Sequence, residues 1–134
     1  MKKVIVTGGL GFIGSNLIKF LIKKDFFVVN IDNANYASNT YNTIKFINSK
    51  SYKFIKCNIG NKKILNILKQ YKPECIFNLA AETHVDRSID NPKNFIENNI
   101  LEVFNLLENF KTFSRKHKIK FIQVSTDEVY GDIL

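Results

Sequence analysis

Lys3-Val4-Ile5-Val6-Thr7-Gly8-Gly9-Leu10-Gly11-Phe12-Ile13-Gly14 decides the fold of this chain. The first five residues are a short, nearly unbroken apolar run that ends at glycines, the pattern of a parallel strand buried on both faces. From Phe12 onward Ile13, Leu17, Ile18, Leu21 and Ile22 recur at helical spacing. The glycines between strand and helix stand at positions 8, 11 and 14. Gly8 permits a tight turn out of the strand. Gly11 lets backbone approach a pyrophosphate with no Cβ in the way, and Gly14 lets helix and strand pack closely. The helix N-terminus adds free N–H groups and partial positive charge, so the turn suits a dinucleotide phosphate.

Strand and helix patterns then alternate along the chain. Phe26 to Ile31 predicts a second strand, closed by Asp32. Asn33 to Asn39 is polar and turn-like, and Tyr41 to Ile47 predicts a short helix. Tyr52 to Cys57 is a third strand. Lys62 to Tyr71 is a helix that Pro73 stops. Cys75 to Ala80 is a fourth strand. A long helix runs from Pro92, suited to a first turn, to about Arg115. Its residues Phe95, Ile96, Ile100, Val103, Phe104, Leu106 and Leu107 are expected toward the core. Ile119 to Val124 is a fifth strand. The whole chain, 1–134, therefore predicts one α/β domain of Rossmann type, a doubly wound parallel sheet with helices on both faces. A sheet ending at the fifth strand has an uncovered edge.

Composition narrows the function. Hydrophobic residues make up 45% and charged residues 24%, as in a globular domain. No apolar run is long enough to span a membrane, and glycines interrupt the N-terminal run too early for a signal peptide. A cytoplasmic protein is expected. The formal charge is +8, almost all from Lys spread along the chain without an aromatic-basic repeat. This favours a solvated basic surface over a nucleic-acid interface, and still suits an anionic ligand. Cys57 and Cys75 have no partner at metal-ligand spacing and read as buried thiols. Arg115-Lys116-His117-Lys118 falls where a long helix ends and opposes its dipole.

Two acidic features carry chemistry. Asp32, at the end of the second strand, can accept hydrogen bonds from ribose hydroxyls and would repel a 2′-phosphate, which favours NAD over NADP. Ser125-Thr126-Asp127-Glu128-Val129-Tyr130-Gly131 sets a hydroxyl and two carboxyls side by side just past the fifth strand. Such a set can hold a sugar alcohol, protonate a leaving hydroxyl and remove a carbon-bound proton.

The glycine block, the block Asn78-Leu79-Ala80-Ala81-Glu82-Thr83-His84-Val85-Asp86-Arg87-Ser88-Ile89 and the Thr126-Asp127-Glu128 block together resemble the dTDP-glucose 4,6-dehydratases. These are NAD-dependent lyases of the extended short-chain dehydrogenase/reductase superfamily. The resemblance covers the whole chain. It implies a bound NAD that is reduced and reoxidised within one turnover, with oxidation at C4 of the sugar, loss of water across C5 and C6, and return of hydride to C6. It implies that Glu128 takes the C5 proton, Asp127 protonates the C6 hydroxyl, and Thr126 holds the 4-hydroxyl. Gly8, Gly11, Phe12, Ile13, Gly14, Asp32, Asn35, Asn58, Ile59, Leu79, Ala80, Ala81, Thr83, Asn98 and Ser125 are placed on the cofactor. Thr83, His84, Val85 and Arg87 are placed on the nucleotide sugar, most simply dTDP-glucose. Metal ligands are not expected.

Some positions depart from the family pattern. Thr83 stands for the usual Ser, Asn58 for an Asp that contacts adenine, Asn98 for a Thr, Glu102 for a Gly and Val103 for a Thr. The superfamily's catalytic Tyr and Lys, four residues apart, are expected downstream of residue 128. Tyr41 with Lys45 and Tyr52 with Lys56 have that spacing, which is unremarkable with 5 Tyr in a Lys-rich chain, and both precede the site. The chain is thus expected to be an N-terminal portion that lacks turnover alone, pairing with itself or with a complementing C-terminal chain. A UDP-sugar 4,6-dehydratase or 4-epimerase, and a non-catalytic dinucleotide- or partner-binding remnant, are the alternatives.

Overall fold

Strands β1 (Lys3–Thr7), β2 (Phe27–Asp32), β3 (Tyr52–Lys56), β4 (Cys75–Asn78) and β5 (Lys120–Gln123) form one parallel sheet in the order β3-β2-β1-β4-β5. The structure is a computed structural model. It describes residues 1–36, 38–83 and 89–132, without the side chains of Asp127 and Glu128. Ile5 sits beside Val29 on one side and Ile76 on the other, so the register aligns the apolar centres of three strands.

Successive residues of each strand point to opposite faces. Val4, Val6, Val28 and Cys75 pack with Ile18 and Leu21 of helix α1 (Phe12–Lys23). Ile5, Val29, Ile31 and Ile76 pack with Ile64, Ile67 and Leu68 of helix α2 (Lys63–Tyr71) and with Leu106 and Phe113. Both faces are covered, as an all-parallel sheet requires. Burying a residue such as Leu106, 1% exposed, contributes roughly 1.5–3 kcal/mol. α2 ends at Lys72, which takes a left-handed conformation (φ +48°) ahead of Pro73 and returns its N–H to Leu68 O at 2.8 Å.

The long helix from Pro92 is not uniform. It is α-helical over Pro92–Ile96 (α3), π-helical over Glu97–Leu101, and α-helical again over Glu102–Ser114 (α4). The wider turn shifts the face that meets the sheet. Leu106 is buried and Val103 packs on the core, whereas Ile96, Ile100, Phe104 and Leu107 are exposed, against the sequence expectation. Their spacing made one wide apolar face, and only the half over α2 and the sheet is used. Tyr41 to Ile47 also differs. It is two short 3₁₀ turns, Thr40–Asn42 and Ile44–Phe46, the first capped by the Asn39 side chain. β4 stops at Asn78, two residues short of expectation, because the backbone then turns into the cleft. β5 pairs with β4 alone and lies at the edge of the sheet.

Candidate functional site

β1 lies at the point where strand order reverses, with β2 on one side and β4 on the other. In open α/β sheets, ligands bind beyond the strand ends at this point. Gly8 leaves β1 with φ +66° and donates its N–H to Ile31 O at 3.0 Å. A Cβ there would stand 2.8 Å from the backbone of Leu79 and Ala80. A Cβ on Gly14 would stand 2.3 Å from Gly8 O, so the first turn of α1 rests directly on the glycine turn.

The helix ladder of α1 begins with Ser15 N–H to Gly11 O at 3.0 Å. The N–H groups of Phe12, Ile13 and Gly14 precede it. Gly11 caps the helix with no side-chain hydrogen bond, and no acid stands in the first turn. Phe12 and Ile13 are 83% and 63% exposed at the mouth of the cleft. An uncapped helix N-terminus of this kind accepts an anion.

Asp32 is buried at the end of β2. Its carboxylate accepts from Leu10 N at 3.0 Å, Ala34 N at 2.9 Å and Ser38 Oγ at 2.7 Å. It ties the glycine turn to the loop that follows β2. Leu10 O adds to this tie by accepting from Asn39 N and the Asn42 side chain. A carboxylate has about four acceptor positions, so three protein donors leave capacity for a ligand hydroxyl.

On the other side of β1 a side-chain network crosses three strands. The Thr7 hydroxyl donates to Asn78 Oδ1 and accepts from Leu79 N and Ala80 N, each at 3.2 Å. Asn78 Nδ2 donates to Gln123 Oε1 at 2.8 Å. The ends of β1, β4 and β5 are thereby held in register just below Ser125 and Thr126. Beyond β4, Glu82 receives Asn35 Nδ2 at 3.0 Å and the Tyr36 hydroxyl. It bridges the β4 loop to the β2 loop across the cleft.

These elements enclose a cleft of about 530 Å³. Gly8, Gly11, Phe12, Ile13, Gly14, Asp32, Asn35, Ile59, Leu79, Ala80, Ala81, Thr83, Asn98, Ser125 and Thr126 all line it. The 3₁₀ turn Asp127–Tyr130 follows directly. The side chains of Asp127 and Glu128, and residues His84, Val85 and Arg87, lie outside the described residues. The charged residues among the described lining are Asp32, Glu82 and Glu102, all acids. The Lys residues that give the chain its positive charge are thus absent from the described lining.

Asn58 is not part of that lining. Its Oδ1 accepts from Gly60 N at 2.7 Å, and its Nδ2 donates to Glu102 Oε1. Glu102, which does line the cleft, has taken the forward position. Its backbone and Cβ pack on Gly60, where a Cβ would stand 3.1 Å away. Burial pushes the Glu102 carboxyl above the ordinary carboxylate value. The Asn58 hydrogen bond opposes that shift and nearby Glu97 adds to it.

Burial also raises the thiols of Cys57 and Cys75, with Lys63 and Lys120 opposing. Neither Tyr-Lys pair reaches the cleft. Tyr52 is buried on the α1 face, its hydroxyl accepting from Asn30 Nδ2 at 2.8 Å, and Tyr41 is 77% exposed in a 3₁₀ turn.

Sequence reasoning missed Ser38, Glu82 and Glu102 as lining residues. Glu82 lies within the 78–89 block without a role of its own there, and Glu102 marks only a departure from the family pattern. No group of three or more His, Cys, Asp or Glu suited to a metal occurs among the described residues. No helix there is long and apolar enough to cross a membrane.

The dTDP-glucose 4,6-dehydratase of Haemophilus influenzae is 40% identical over 99% of this chain, which spans 42% of that protein's length. A dTDP-glucose 4,6-dehydratase from Streptomyces venezuelae, solved with NAD bound, superposes with a TM-score of 0.87. It is 31% identical, over 98% of this chain and 42% of its own. The UDP-glucose 4-epimerase of Thermotoga maritima, solved with UDP-glucose, gives a TM-score of 0.83. It is 30% identical, over 98% of this chain and 40% of its own. Residues 5–134 match the GDP-mannose 4,6 dehydratase family, and the chain belongs to that family.

Proposed function

We propose that residues 1–134 form the NAD-binding domain of a nucleotide-sugar 4,6-dehydratase, acting on dTDP-glucose. The observation that carries this reading is the uncapped N-terminus of α1 at the switch point of the sheet, with Asp32 on one side and Ser125-Thr126 on the other. The cradle fits a dinucleotide: Gly11 leaves space at the helix start, Gly14 lets α1 sit directly on the glycine turn, no acid opposes a phosphate there, and Asp32 keeps acceptor capacity. Bound NAD supplies a hydride acceptor and donor.

The chain's own residues do the rest. The α1 N–H groups hold the pyrophosphate, and Asp32 takes a ribose hydroxyl. The Thr7-Asn78-Gln123 network orients the loops that carry Thr83 and Thr126, whose hydroxyls bind the sugar. Asp127 delivers a proton to the departing 6-hydroxyl, and Glu128 removes the proton at C5. His84, Val85 and Arg87 complete the sugar side. The chain carries Asp127-Glu128 directly after Thr126, an acid and a base side by side, which favours dehydration over epimerisation. The protein acts in the cytoplasm, and pairs with a second copy or a complementing chain.

Calorimetric titration of NAD into the purified chain tests the reading. Saturable binding that is lost on filling the cradle with Gly11→Val supports it. A folded chain that binds no dinucleotide overturns it.

A further inference from the structure

The sheet order places the two ends of a bound dinucleotide. The phosphates sit at α1, beyond β1. The end that reaches Ser125 and Thr126 lies over β4 and β5. The other end passes Asp32 and arrives beyond β3, where Cys57, Ile59, Asn98 and Glu102 line the cleft. Ile59 is apolar and buried, and supplies a surface on which a flat base can rest.

The polar group at that end is unusual in being set by an internal pair. Gly60 N–H fixes the orientation of the Asn58 amide, because only its oxygen can accept there. The amide nitrogen must then face Glu102, and it donates to Oε1. The Glu102 carboxylate is therefore held in place while still forming part of the cleft wall. No other hydrogen bond to it is made among the described residues. A half-buried carboxylate accepts only, and calls for a donor from the ligand. Adenine offers one on its edge, the 6-amino group.

We propose that Glu102, held by Asn58, is the acceptor that reads the 6-amino group of the adenine and so sets selectivity for the adenine dinucleotide. This rests on the dinucleotide reading above. Glu102 touches the cofactor, and Asn58 is a positioning residue.

Nicotinamide hypoxanthine dinucleotide differs from NAD at this edge, carrying a carbonyl in place of the amine. Titration of both into the wild-type chain and into Glu102→Gln, followed by calorimetry, separates the possibilities. Wild type should bind NAD at least about tenfold more tightly, since the carbonyl takes the place of the amine opposite the carboxylate and the remaining donor of that edge, N1–H, lies one ring position away. Glu102→Gln presents an N–H₂ to that carbonyl, and the preference should shrink to less than about threefold or invert. Equal binding of the two by wild type, or an undiminished preference in Glu102→Gln, overturns this assignment alone. Failure of the wild-type chain to bind either dinucleotide overturns it together with the reading beneath it.

Discussion

Asn99 holds Glu82 by both of its backbone groups. Its Oδ1 accepts from Glu82 N at 2.8 Å, and its Nδ2 donates to Glu82 O at 2.9 Å. One side chain on the π-helical turn thus satisfies the main chain of the β4 loop in the way a neighbouring strand would. The Glu82 side chain then reaches Asn35 and Tyr36. The helix, the β4 loop and the β2 loop are joined through a single residue.

Replacing Asn99 with Ala leaves a backbone donor and acceptor of Glu82 without a partner. The expected loss is about 1–3 kcal/mol. Urea midpoints measure it, and hydrogen exchange at the Glu82 amide should accelerate with it. Unchanged exchange at Glu82 would show that the contact is dispensable.

Gly14→Ala puts a methyl where only 2.3 Å separates the site from Gly8 O. Both partners are backbone, so neither can rotate aside. Overpacking of this kind costs about 1–3 kcal/mol or more. Thermal unfolding should drop accordingly, and dinucleotide binding should disappear even where the variant stays folded.

Asp32→Ala removes acceptors from Leu10 N, Ala34 N and Ser38 Oγ together with any ligand hydroxyl. It should lower stability by about 1–3 kcal/mol as well as weaken NAD. Exchange at the Leu10 and Ala34 amides reports the structural part. Titration calorimetry reports the binding part. A variant of wild-type stability with weakened binding would mean that those three bonds add little.

Glu102→Gln has a pH signature. The folded carboxyl is raised, so it binds its proton more tightly than the unfolded carboxyl does. Stability then falls as pH rises from the ordinary carboxylate value through the folded one. The penalty is complete above that window and absent below it. Glu102→Gln carries no such penalty and still accepts from Asn58. Its advantage over wild type should be present at about pH 8 and vanish at about pH 3.5. An advantage that grew toward acid would contradict the assigned direction.

Much of the fold was legible because strands and helices here obey single periodicities. β1, β2 and α2 have edges set by glycine, proline or a charged residue, and those signals are local. The failures share a cause. Ile96, Ile100, Phe104 and Leu107 read as core because helical spacing says which residues share a face, and not which part of that face meets another element. The π-helical turn at Glu97–Leu101 breaks the phase, and no residue there announces it. In the cleft, the glycines and Asp32 were legible from spacing after a strand. Glu102 was not, because its partner Asn58 lies far away in sequence. The pair is visible only once the loop after β3 meets the first turn of α4. The threefold protein role of Asp32 was hidden for the same reason, since Leu10 and Ser38 approach it from separate loops.

The π-helical turn has a genetic meaning. It amounts to one extra residue carried inside a helix. A one-codon deletion of Asn99 would remove that extra residue and restore regular α-helix, with α3 and α4 still about in phase. The hold on Glu82 would be lost, yet the strands, the glycine turn and most of the core would be untouched. Such an allele would yield a chain that folds and accumulates with its cleft unclasped, so a screen for expression alone would pass it, and only a screen for ligand would find it.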